Sequence, residues 1–172
     1  MNNPFDYGII IMGDRMRKFE IISYEQYEKD LKGNCLYSDI TIPCRSTKHS
    51  AGYDFKSPIE FELEPGEIIK VPTGIKAKMN SDEFLAIFVR SSMGFKYNIR
   101  LCNQVGIIDS DYYNNEANEG HIYVALQNEG DKVYKVGVGD KIAQGIFIKY
   151  QTVDDEEEVK GSRKGGLGST NK

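Results

Sequence analysis

From Asp39 onward, apolar and polar side chains alternate in short runs broken by glycine, proline and asparagine. Ile59-Glu60-Phe61-Glu62-Leu63 puts every second residue on one apolar face, the period of a half-buried strand. Pro65-Gly66 then turns the chain, and extended structure resumes over Ile68 to Val71. The same pattern predicts strands at Ile75 to Met79, Phe84 to Val89, Ile99 to Cys102, His121 to Gln127, Lys132 to Val136 and Ile142 to Tyr150. Many short strands between turn signals predict an all-β fold, a sandwich or a barrel. One short helix is predicted ahead of them. Ser23-Tyr24-Glu25-Gln26 has the form of a capping box, Gly33 stands as the C′ stop, and Glu25/Lys29 and Glu28/Lys32 are spaced to pair on a helix surface.

With 172 residues, 40% of them hydrophobic, the chain suits one core. A net charge of −4 argues against a nucleic-acid polymer as partner, because such partners are met by a basic face. Cys35, Cys44 and Cys102 are odd in number and lack CxxC spacing, so neither a disulfide framework nor a zinc site is expected. The apolar run at Ile9-Ile10-Ile11 is far too short for a membrane span, and no cleavable signal surrounds it, so no membrane association and a cytoplasmic location are expected. Asp154-Asp155-Glu156-Glu157-Glu158 reads as a charged linker. The expected organisation is therefore an extension over 1–39, a β domain over 40–153 and a C-terminal tail over 154–172.

Five segments carry candidate chemistry. In Arg163-Lys164-Gly165-Gly166-Leu167-Gly168-Ser169-Thr170, glycines permit close backbone approach to an anion while cations and hydroxyls add donors; the alternative is a solvated terminus. Asp109 follows Ile107 and Ile108, where partial desolvation suits a general base, or it satisfies turn N–H groups. Arg90-Ser91-Ser92 offers a guanidinium and two hydroxyls for phosphate oxygens, or is a capped loop with a surface arginine. In Ala51-Gly52-Tyr53-Asp54-Phe55, Asp54 is placed to orient a metal-bound water, while Tyr53 and Phe55 also suit a core. Gln144 sits among apolar residues and needs partners from another loop or a phosphate. His49 and His121 are isolated and are assigned surface or hydrogen-bonding roles.

In this order, AGYDF, RSSMGFK, NQVGIIDSDYY, GDKIAQGIF and RKGGLGST resemble the five motifs of the trimeric dUTPase family, over about Ile40 to Asn171. The resemblance implies a β jelly roll, a homotrimer with sites between subunits, and Mg²⁺-dependent hydrolysis of dUTP to dUMP and pyrophosphate. It implies that Asp109 activates water for attack on the α-phosphorus and that Tyr112 lies under the deoxyribose. Asn103 and the hairpin backbone through Gly106 would read the uracil edge. Ser91, Ser92 and Gln144 would contact phosphate, Arg90 would reach it from another subunit, and Asp54 would act through the metal's water shell. The tail would close as a mobile lid, with Arg163 near the γ-phosphate and Gly166, Leu167, Gly168, Ser169 and Thr170 around the nucleotide.

The chain departs from the family pattern at several places. Lys141 replaces an arginine, leaving a point charge without bidentate geometry. Leu167 replaces a phenylalanine that would stack on uracil, and Arg163 lies one residue closer to the double glycine than in the commonest spacing. Tyr113 to Gly120 forms a longer polar loop, and Met1 to Asp39 has no counterpart in the minimal family domain. Two other readings are carried. A dCTP deaminase shares the fold but is disfavoured by the hairpin and the complete tail. A nucleotide-gated regulatory protein would bind its partner through the extension or the 113–120 loop.

Overall fold

The computed structural model describes residues 17–157 and Gly161. Its largest sheet has five antiparallel strands in the order β2-β3-β12-β7-β9, comprising β2 (Cys44–Arg45), β3 (Tyr53–Lys56), β7 (Glu83–Phe88), β9 (Gly106–Asp109) and β12 (Lys141–Lys149). A second sheet orders β5 (Ile68–Pro72), β10 (Tyr123–Asn128) and β8 (Ile99–Leu101). Two further pairs join β1 (Lys18–Ile21) to β6 (Ile75–Lys78) and β4 (Phe61–Leu63) to β11 (Tyr134–Val136). All of these pairings are antiparallel, and only β2 and β3 are consecutive in the chain, so the sheets are joined by crossovers and not by hairpins.

The alternation read from sequence sets the core. In β10, Val124 and Leu126 point inward with Asn128, and the buried Asn128 amide donates to the carbonyls of Leu63 and Lys132, each at 2.8 Å. Phe55, Leu85, Ile87, Leu101 and Ile142 are almost completely buried in the same cluster. At roughly 1.5–3 kcal/mol for each large side chain, this burial is the main force holding the sheets together.

The predicted helix is α1 (Tyr24–Asp30). Ser23 Oγ accepts the Gln26 backbone N–H at 3.1 Å, forming one half of the capping box. The reciprocal half is supplied from elsewhere: Glu119 accepts the Ser23 N–H at 3.0 Å, while the Gln26 side chain donates to Asp30 at 2.7 Å. Gly33 has the predicted positive φ of 84°, two residues past the Leu31 cap rather than one. Strand β1 was not predicted, because its four residues, KFEI, are too few to display a period. With α1 it brings Ile22, Tyr27 and Leu31 into the common core, so the described part of the 1–39 segment packs as one body with the β domain.

A second helix, α2 (Ser91–Tyr97), stands where a loop was expected after Arg90. Met93 is its buried anchor, and Asn98, in the left-handed region at φ 53°, ends it. The glycine at position 94 hid this helix from propensity reasoning; burial of Met93 outweighs that cost of about 1 kcal/mol.

Candidate active site

The strand order brings four sequence-predicted residues to one end of the large sheet. Gln144 on β12 faces Asp54 on β3 and Phe88 on β7, and Arg90 and Ser91 follow where β7 runs into α2. Asp54 is buried and holds two cations: Arg90 Nε lies 3.2 Å from Oδ1 and Lys141 Nζ 2.7 Å from Oδ2. Ser46 Oγ also donates to Oδ2 at 2.6 Å and accepts from Lys141 at 2.7 Å. Burial opposes the Asp54 charge, but these bonds and the Arg90 charge outweigh it and hold the carboxyl below the usual carboxylate range. The Gln144 amide donates to the Val89 carbonyl at 3.2 Å, one of the partners its half-buried position required. Its side chain lies across Gly52, where an added Cβ would stand 2.6 Å from Oε1. Ser91 is exposed and Ser92 half-buried in the first turn of α2, directly after Arg90 in the chain.

The second group sits on the β8–β9 connection, which crosses from one sheet to the other instead of closing the expected hairpin, because β8 pairs with β10 and β9 with β7. Asn103, Gly106, Ile107 and Ile108 line a narrow cavity of about 60 Å³, closed on its far side by Tyr123, Val124 and Ala125 of β10. Asp109 ends β9, is half-buried, and makes no side-chain capping bond to the 3-10 turn Ser110–Tyr112 that follows. Tyr112 is buried at the end of that turn, and its hydroxyl donates to the His121 carbonyl at 2.9 Å. His121 is fully buried and bonded, which settles its two expected roles in favour of hydrogen bonding rather than surface exposure.

The two groups lie apart within one chain. Asp109 is registered to Phe84 on one side of β7, while Gln144 is registered to Phe88 on the other. Four residues along a strand and two strand spacings across it separate their backbones by roughly 16 Å. Sequence reasoning missed Ser46, which belongs to no recognisable motif, and Tyr123, which sits in an ordinary strand pattern. The predicted tail residues Arg163, Gly166, Leu167, Gly168, Ser169 and Thr170 lie outside the described residues.

Among the described residues, no group of three or more histidine, cysteine, aspartate or glutamate side chains is placed to hold a metal. Both oxygens of Asp54, the carboxylate expected near a metal, already meet the Arg90 guanidinium, the Lys141 ammonium or the Ser46 hydroxyl, so the residues present leave it a contact to a hard cation only through water carried in with a phosphate.

Comparison with known proteins identifies the family. The dUTPase family model matches residues 38–171, and the chain belongs to the dUTPase family. The deoxyuridine 5′-triphosphate nucleotidohydrolase of Lactococcus lactis subsp. lactis is 40% identical over 157 residues, covering 91% of this chain and 98% of its own. The unmatched 9% is too little to contain all the residues before position 38, so that similarity extends into the N-terminal segment. The crystal structure of the Streptococcus mutans dUTPase superposes with a TM-score of 0.67 at 38% identity, covering 80% of this chain and 98% of that one. The dUTPase of phage phi11 of S. aureus shares the fold at a TM-score of 0.64 and 18% identity, with coverage of 85% and 97%, and a mutant of it was described with a structural Mg(II) ion.

Proposed function

We propose that the protein hydrolyses dUTP to dUMP and pyrophosphate, with Asp109 as the base that takes a proton from the attacking water. The observation that carries this reading is the β8–β9 cavity, flanked by Asn103 and the backbone at Gly106, on the same stretch of chain that ends in Asp109. A flat pyrimidine held there by donor and acceptor pairing places its sugar towards Tyr112, whose bulk excludes a 2′-hydroxyl. Cytosine presents the reversed donor pattern and leaves polar groups unpaired, and thymine adds a methyl in a confined space.

Arg90, Ser91, Ser92 and Gln144 take the phosphates. Asp54 would hold Mg²⁺ through water, and the ion would supply neutralisation of phosphate charge. Since roughly 16 Å separates Asp109 from Gln144 within one chain, we assign each complete site to two subunits at least, in a homotrimer. The C-terminal octad adds Arg163, the Gly166 to Gly168 backbone, Ser169 and Thr170 to the triphosphate. Ordering such a segment consumes ~2–5 kcal/mol, so closure is favoured when a triphosphate is present.

Pyrophosphate release from dUTP, dCTP, dTTP and UTP in the presence of Mg²⁺ tests the reading. A strong preference for dUTP is expected. Equal turnover of the four, or ammonia released from dCTP, refutes it.

A further inference from the structure

The N-terminal segment reaches the nucleotide side of the molecule through one carboxylate. Asp30, the last residue of α1, accepts the Gln26 amide and sits 2.6 Å from Nδ1 of the buried His121. Nε2 of that ring accepts the Gly74 backbone N–H at 2.8 Å. A backbone N–H can only donate, so Nε2 carries the lone pair and Nδ1 the proton, which is given to Asp30. The His121 ring lies against the Tyr123 ring, with centroids 4.3 Å apart.

Both tyrosines belong to the site proposed above. Tyr123 lines the β8–β9 cavity together with Asn103 and Gly106. Tyr112 donates to the carbonyl of His121 itself, and Asn118 donates to the Tyr112 hydroxyl at 2.8 Å. The intervening loop is strapped to the same segment: Glu119 binds the Ser23 N–H and hydroxyl, Tyr113 bonds Glu20, and Lys76 bridges Asn114 and Glu119 at 2.8 and 3.2 Å. Gly120 closes the loop at φ 81°, where a Cβ would come within 2.5 Å of the Tyr112 carbonyl.

We propose that Asp30 is a positioning residue for the deoxyuridine site, fixing the Tyr123 ring and the Tyr112 hydroxyl through His121, so that the N-terminal segment sets base affinity and sugar discrimination. The inference rests on the β8–β9 cavity being the base site. Neither Asp30 nor His121 touches the reacting atoms; they act by holding two rings in place.

Steady-state kinetics on the full chain decide it, measured well below each variant's melting temperature with dUTP and UTP. Asp30→Ala is expected to raise KM for dUTP ~10-fold with little change in kcat, the signature of lost ground-state binding, and to erode the dUTP-over-UTP ratio. Tyr123→Leu, which removes the ring that packs on His121, should raise KM while sparing that ratio, because Tyr112 remains held. His121→Gln retains one donor and one acceptor and should stay near wild type, whereas His121→Phe should behave as Asp30→Ala. A lowered melting temperature with unchanged KM and unchanged ratio in Asp30→Ala overturns the proposal. If Asp30→Ala does not fold, an unchanged KM in Tyr123→Leu overturns it instead. Absence of dUTP turnover in the wild type, seen before any variant is compared, refutes the underlying function separately.

Discussion

Asp109 and Gln144 flank the same strand from opposite sides and opposite ends: one is registered to Phe84 of β7, the other to Phe88. A water-activating carboxylate and a phosphate-binding amide held roughly 16 Å apart cannot serve one phosphorus within a single chain. Mixed assembly exposes the consequence. Asp109→Asn and Gln144→Leu should each be nearly inactive alone, yet dissociating and reassembling them together should restore activity. Random mixing leaves roughly a quarter of the shared sites with both native halves. Recovery near that fraction supports sites built between subunits, and no recovery refutes them.

Asp109→Asn keeps the shape of the side chain but cannot take the proton of water. We expect its kcat to fall by ~10²–10⁴ while a nonhydrolysable dUTP analogue binds with nearly native affinity in calorimetry. Near-native turnover would require a different base.

How far these sites could be read in advance depended on what each residue interacts with. Strands such as β7 and β10 were legible because burial imposes a repeating pattern, and Asp54, Asn103, Asp109 and Gln144 because their motifs are local. Helix α2 was not legible, since Gly94 lowers helix propensity and the buried Met93 that stabilises it is a tertiary fact. Ser46 and Asp30 were equally hidden. Ser46 matters because strand pairing brings it to Asp54, and Asp30 because α1 docks on His121, 91 residues away in the chain. Lys141 was visible as a departure from the family pattern, but not as the ion-pair partner of Asp54.

That pairing gives Lys141 a measurable role. Replacing Lys141 with methionine removes a charge-assisted bond to a buried carboxylate and the donor to Ser46, about 1–3 kcal/mol at neutral pH. The Asp54 pKa lies below its ordinary 3.8, so the bridge stabilises the fold above that value and is lost as pH falls through the folded-state pKa. Urea unfolding of the two proteins should therefore differ at pH 7 and converge in strong acid. A difference that persists undiminished at low pH would show that packing of the lysine stem, not its charge, is responsible.

Acid stability should also show a separate, earlier loss at His121. Burial is the dominant influence on this ring and pushes its pKa below the ordinary 6.5, against the opposing pull of Asp30 and Glu119; Lys70 adds to the depression. A depressed histidine binds fewer protons folded than unfolded, so its contribution is complete above about pH 6.5 and declines as pH falls towards the folded value. The slope attributable to one such group is at most about 1.4 kcal/mol per pH unit. The structural reason is specific: a second ring proton would point Nε2–H at the Gly74 N–H, two donors 2.8 Å apart in a buried site. Unfolding free energies measured between pH 7.5 and 5 should fall for the wild type and stay flatter for His121→Gln, which has no proton to gain. Parallel profiles for the two proteins would assign the acid sensitivity to the depressed carboxyls of Asp30, Asp54, Glu83 and Glu119, whose losses belong to lower pH.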